Sequence, residues 1–293
     1  AQKLFEEAKL VEGTPVQTGV HAAGVIIADR PVSEYAPLLW NDEKNCWVIE
    51  CDMIECEATL GLLKMDFLGL TTLDILGTAI FYVRKTQKKR VCLTELKPAD
   101  DVAVIQSIYA EGHTDGVFQF ESEGIKKALV NFRPHSIDDV ILMNAAYRPG
   151  PMDSIPEFTQ VKLGQKAPVY LVPEMESILG RTYGSAIYQE QIMQLFQMVG
   201  FSLGEADIIR RAMSKKHLEE IEAAKDKFVN GMKAKGAAMS AIDSYWTRLL
   251  AFASYAFNAS HAAAYSILSY YTAWMKYYFP CEFMAAQMSY TSH

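Results

Sequence analysis

The chain has 293 residues, half of them hydrophobic and 22% charged, with a formal net charge of −7 at neutral pH. That length suits two domains with a real core, in the composition of a soluble globular protein. The acidic balance argues against nucleic-acid binding over the whole surface, and no run reaches the roughly 20 uninterrupted apolar residues of a membrane span.

Residues 1–12 predict a helix. There is no start methionine and no signal peptide, which suits an excised segment. Gly13–Asp29 contains GVHAAGVIIA, an apolar strand expected to be buried, with His21 at its entry as a packed, hydrogen-bonded residue. Pro31–Trp40 reads as a loop and Cys46–Asp52 as another strand. Cys46, Cys51, Cys56, Cys92 and Cys281 are odd in number and form no CxxC pair. They read as reduced thiols in a cytoplasmic protein rather than as a zinc site.

The stretch Leu60–Leu70, LGLLKMDFLGL, is short, apolar and bounded by glycines, the pattern of a buried strand. Alternation puts Leu63, Met65 and Phe67 on one face and Lys64 and Asp66 side by side on the other. Two readings stand for that pair. One is an ion pair on a solvated sheet face; the other is a metal-binding carboxylate with a phosphate-meeting lysine beside it. Thr71–Val83 has helical spacing, and the basic run Arg84–Arg90 (RKTQKKR) follows.

Thr94–Asp101 reads as a boundary. Helices are expected over Asp101–Ala110, Ser122–Leu129 and Ile137–Ala146, with the short apolar segment GVFQF at Gly116–Phe120. The turn YRPGPM (Tyr147–Met152) is stiff and excludes helix. It holds Arg148 at its tip, either for a ligand or as a cap on the preceding helix. Pro156–Pro173 reads as irregular. From Tyr183 onward the pattern is helical. One helix is ended by Gly200, another starts near Gly204, and others cover Leu218–Lys235, Ser240–Ala253 and His261–Phe279. Pro280 opens a last helix.

Two further cation-bearing groups suit an anionic ligand. Arg210 and Arg211, with Lys215 and Lys216 about a turn later, can grip a polyanion. Asp207, three and four residues earlier, offers them an intrahelical partner instead. In FNASHAAAY (Phe257–Tyr265), Asn258 or Ser260 is a natural N-cap, and a helix N-terminus attracts phosphate. His261 adds a donor and Tyr265 a ring for base stacking; the alternative is a plain cap with a packed tyrosine.

The set LLKMDFLGL, ESEG, YRPGPM, YQEQIMQ, RRAM followed by KK, FNASHAAAY and YYFPCEFMAA, in this order, resembles the alpha-subunit family of bacterial DNA polymerase III, the family C replicative polymerases. The resemblance spans nearly the whole chain. It implies an α+β fold: residues 1–90 as the later part of a polymerase-β-like nucleotidyltransferase palm, then residues 91–293 as mostly helical fingers. It implies template-directed DNA synthesis from deoxynucleoside triphosphates on primer-template DNA. In the family three palm aspartates hold two magnesium ions; Asp66 matches the third, and the Asp-x-Asp motif that supplies the others does not occur in this sequence. The piece alone is therefore expected to be inactive. Lys64 matches a palm lysine at the incoming triphosphate, and Arg210 and Arg211 match the fingers arginines that grip it. Ser260, His261 and Tyr265 face the nucleotide pocket, and Arg148 is counted with them. Lys85, Lys88, Lys89, Arg90, Lys215 and Lys216 are the DNA-contact candidates. Sliding-clamp and proofreading-exonuclease partners would use regions outside this segment, and no membrane is involved. Two departures from the family pattern are Ala259, where a lysine is usual, and Ser214–His217 (SKKH). The alternative from another class is a non-catalytic helical module that binds protein or single-stranded nucleic acid.

Overall fold

The computed structural model describes residues 2–14, 19–21, 23–99, 101–215, 217–253 and 255–290, leaving aside the side chains at 2, 214, 215, 218, 252 and 253. The chain forms two compact units, Ala1–Leu70 and Thr71–His293.

The first unit opens with α1 (Gln2–Val11). Strand β1 (Gly24–Ile27) pairs antiparallel with the last strand, β4 (Leu63–Asp66), in the register Gly24 to Asp66 and Ile26 to Lys64. Between them β2 (Leu38–Asn41) and β3 (Cys46–Ile49) make an antiparallel pair. Trp40 and Trp47 face each other across it, edge to face at 5.2 Å. Helix α2 (Met53–Ala58), which follows the shortened strand β3, is capped by Asp52, whose carboxylate accepts from Ile54 N at 2.8 Å.

The expectation of buried strands is corrected. Val25, Ile27, Leu63 and Met65 share one face of the β1–β4 pair and are 49, 44, 57 and 41% exposed. A two-stranded ribbon has no second layer of its own, and among the described residues of this unit only Ala36, Cys56 and Leu62 are buried apolar side chains.

The second unit begins with α3 (Thr71–Gln87), which lies in it rather than with the strands. Next come α4 (Val102–Val104), continued by a π-helical turn Ile105–Ala110, then α5 (Glu123–Phe132) and α6 (Ile137–Ala146). Helix α7 (Ile155–Lys162) stands where an irregular segment was expected. Pro156 sits in its first turn, where a missing N–H breaks no hydrogen bond. Then follow α8 (Met175–Leu179), α9 (Gln189–Met198), α10 (Leu203–Lys215), α11 (Leu218–Ala234), α12 (Met239–Ala253), α13 (Ala259–Tyr278) and α14 (Pro280–Tyr290).

Two cores hold this unit. Phe196, Phe228 and Trp246 meet ring to ring at 5.1 to 6.1 Å where α9, α11 and α12 converge. Tyr109, Phe120, Phe132 and Phe158 anchor the other, against which α13 lays its buried face. Lys162 and Tyr183 both bond the buried Asp139, at 2.5 and 2.7 Å, tying α6 to α7. Helix α14 packs along α3, and Glu282 accepts from Thr86 and Gln87 at 2.7 and 2.9 Å. All five thiols are free, and no described helix is long and apolar enough to cross a membrane.

Candidate functional site

On β4 the pleat sets Lys64 and Asp66 on one face, as their spacing predicts. Lys64 Nζ donates to Asp66 Oδ1 at 2.5 Å, and His21 Nδ1 lies 3.6 Å from the same oxygen. Gly24, opposite Asp66 in the register, makes room for the group. A Cβ there would lie 2.8 Å from His21 Nδ1, 2.8 Å from Lys64 Cε and 3.3 Å from Asp66 Oδ1. The lysine is covered, with its side chain 10% exposed; the carboxylate, at 44%, is open. The Lys64 hydrogen bond holds Asp66 below the ordinary carboxylate range, against a smaller desolvation effect, with the Lys64 and His21 charges helping. Asp66 is thus an ionised, pre-oriented carboxylate at neutral pH. Among the described residues no three of His, Cys, Asp and Glu gather around it or elsewhere in a metal-binding group.

Helix α10 sets Arg210 and Arg211 around Asp207. Arg210 donates through Nε and Nη2 to Oδ1, at 3.0 and 2.8 Å. Arg211 donates through Nε to Oδ2 at 2.8 Å and through Nη2 to the same oxygen. The intrahelical pairing that the spacing allowed is therefore formed. It does not cancel the charge: one carboxylate faces two guanidinium groups. Arg211, with its side chain 64% exposed, keeps an open edge. Hydrogen bonds from Arg211 and then Arg210 hold Asp207 below the ordinary carboxylate range. Lys216 and the Lys215 side chain lie outside the described residues.

At the start of α13, Asn258 is the N-cap and accepts from His261 N at 2.8 Å. The His261 ring lies 4.1 Å from Tyr265 and 5.2 Å from Phe257; Tyr265 also meets Phe118 at 5.5 Å. Arg148 lies 3.8 Å over the Phe257 ring. Its Nε and Nη2 donate to Ala145 O at 3.0 Å each, so it caps α6 as one reading held. Gly150, at φ +101°, lets the turn close on Tyr255: a Cβ would lie 2.7 Å from that ring. Arg148, Phe257, His261, Tyr265 and Phe118 thereby form one row, with Ser260 exposed beside it. Phe118 and Glu190 escape the sequence reading. Glu190 lies in the first turn of α9, and its two oxygens accept from Ala259 N at 3.2 and 3.0 Å. No local spacing signals a contact across 69 residues.

Lys85, Lys88, Lys89 and Arg90 are all exposed near the end of α3, beside Arg84. Among the described residues none of them has an ion-pair partner; Lys89 rests over Phe279 at 5.6 Å and Lys85 over Phe81 at 6.0 Å.

Family models match both units. Residues 72–236 match the bacterial DNA polymerase III alpha subunit finger domain. Residues 1–69 match the bacterial DNA polymerase III alpha NTPase domain. The chain belongs to the bacterial DNA polymerase III alpha-subunit family. The alpha subunit of Thermus aquaticus is 43% identical over 298 aligned residues, covering 100% of this chain and 24% of the relative. That of Xylella fastidiosa is 41% identical over 297 residues, covering 98% of this chain and 25% of the relative. That of Aquifex aeolicus is 40% identical over 291 residues, again 98% and 25%. The chain thus spans about a quarter of the length of the curated polymerase III alpha subunits it matches.

Proposed function

We propose that this segment serves as palm and fingers in template-directed DNA synthesis, in which the intact protein transfers deoxynucleotides to a primer 3′ end. Residues 1–90 are assigned to the later palm and 91–293 to the fingers. The observation that carries the reading is the match to polymerase III alpha subunits along both units. The side-chain chemistry supports it. Lys64 keeps Asp66 ionised and aimed. The Arg210–Arg211 fork carries a surplus positive charge suited to a triphosphate. His261 and Tyr265 present rings to a base, and Arg148 lies over Phe257, which meets His261 edge-on. The exposed basic run suits duplex phosphates. Clamp and exonuclease partners, in this reading, dock on other parts of the intact protein.

Magnesium, when bound, supplies charge neutralisation at the reacting phosphate. Asp66 fits as one ligand of such a centre. A single carboxylate with one oxygen bonded to Lys64 does not make a two-ion site. The chain by itself is therefore expected not to extend a primer.

The test is titration of the chain with dATP and magnesium, followed by NMR. Signals at Arg210, Arg211, His261 and Tyr265 are expected to move. Arg211→Ala should weaken binding by about 10-fold, the worth of one charge-assisted hydrogen bond. Unchanged affinity would leave Arg211 with only its Asp207 pairing. A second reading, a single-strand-binding helical module, is favoured by the exposed cations of Arg84–Arg90. It predicts oligonucleotide binding lost on their neutralisation, with no dATP binding at α10 or α13.

A further inference from the structure

Three of the amides that open α13, those of Ala259, His261 and Ala262, already have acceptors. His261 N donates to Asn258 Oδ1 at 2.8 Å and Ala262 N to Asn258 O at 3.1 Å, while Ala259 N donates to both carboxylate oxygens of Glu190. Glu190 comes from the first turn of α9. Its reach across is held by two main-chain bonds and one side-chain bond between the two segments. Gln189 N donates to Phe257 O at 2.9 Å, Phe257 N to Ile187 O at 3.0 Å, and Gln189 Nε2 to Ala256 O at 3.2 Å. Among the described residues no Lys, Arg or His pairs with Glu190, so its charge is met by the helix end itself. A carboxylate fixed there occupies the place a phosphate would take and repels a second anion at close range.

We propose that Glu190 is a positioning residue of the nucleotide site. Its carboxylate is the resident anion of the α13 N-terminus, excludes ligand phosphate from that helix end, and fixes where His261 and Tyr265 stand. The triphosphate is then left to Arg210 and Arg211, while the α13 start offers rings and not amides. What His261 and Tyr265 touch rests on the polymerase reading; the exclusion by Glu190 does not.

The experiment follows the backbone amide signals of Ala259 and Ser260 in the 293-residue chain during titration with tripolyphosphate, without metal or nucleotide. In the unsubstituted chain both signals stay in place. In Glu190→Ala, and in Glu190→Gln, which keeps an acceptor for Ala259 N and so guards the fold, both signals move. Movement in the unsubstituted chain, or in neither variant, overturns the proposal. Since no arm involves nucleotide, magnesium or primer extension, failure here leaves the polymerase reading standing, and failure of that reading leaves this result intact.

Discussion

At the scale of single residues, four carboxylates set what the candidate groups can do. Asp66 has one oxygen on Lys64, Asp207 holds two arginines, Glu190 closes α13, and Glu205 closes the start of α10. Glu205 accepts from Lys227 Nζ at 2.8 Å and from Ser202 N at 2.7 Å, while Ser202 Oγ accepts from Glu205 N at 3.3 Å: a capping box joined to an ion pair. The Lys227 bond first, then those with Ser202, lower its pKa to about 2. A folded-state pKa below the unfolded one means that the unfolded chain binds the extra proton. The Glu205 contribution is therefore complete above its ordinary value of 4.5 and is lost as pH falls towards about 2. Carboxyl NMR should give a Glu205 midpoint near that lower value, and Glu205→Gln should flatten the stability–pH curve in this window. A midpoint in the ordinary glutamate range would refute the capping geometry.

At the scale of elements, α9 organises the entry to α13. Gln191 is fully buried. Its Oε1 accepts from Ile187 N and Tyr188 N at 3.0 and 2.9 Å, and its Nε2 donates to Ile178 O and Thr182 Oγ1 at 3.0 and 2.8 Å. Gln191→Ala strands buried partners and should cost about 2–3 kcal/mol, read by denaturant unfolding; a loss under about 0.5 kcal/mol, the scale of an ordinary surface change, would contradict the network. Most of the longer helices were legible in the sequence, because apolar residues repeat at helical spacing and Gly200 and Pro280 punctuate them, whereas the short α2 and α8 were not. The local pairs were legible too: Lys64 with Asp66 by strand alternation, and Asp207 with both arginines by helical spacing. Helix α7 was hidden by Pro156, whose breaking effect vanishes in a first turn. Glu190 and Phe118 were hidden because their partners are remote in sequence, and periodicity carries no tertiary address.

At the scale of the whole molecule, the two units differ in how much they bury. Among the described residues, the second has two aromatic-rich cores, whereas the first buries three apolar side chains and leaves an apolar sheet face open. Burying an apolar side chain is worth about 1.5–3 kcal/mol, too little for three of them to offset the ordering cost of a chain this long. Residues 1–70 expressed alone should show no cooperative melt, while residues 71–293 should melt cooperatively; a sharp transition for the isolated first unit would contradict this accounting. The strand pattern of Leu60–Leu70 told of the strand but not of its exposure, since burial depends on a second layer that local sequence does not specify.

On the proposed reading, Asp66 is an ionised metal-binding carboxylate in DNA synthesis. The most direct test is primer extension by the Thermus aquaticus alpha subunit carrying this chain in place of its matching segment. Asp66→Asn in that chimera should cut extension by more than about 100-fold, beyond the usual cost of a change one shell removed from a metal, while the melting curve stays unchanged. Extension by the Asp66→Asn chimera at the rate of the unsubstituted one would contradict the account.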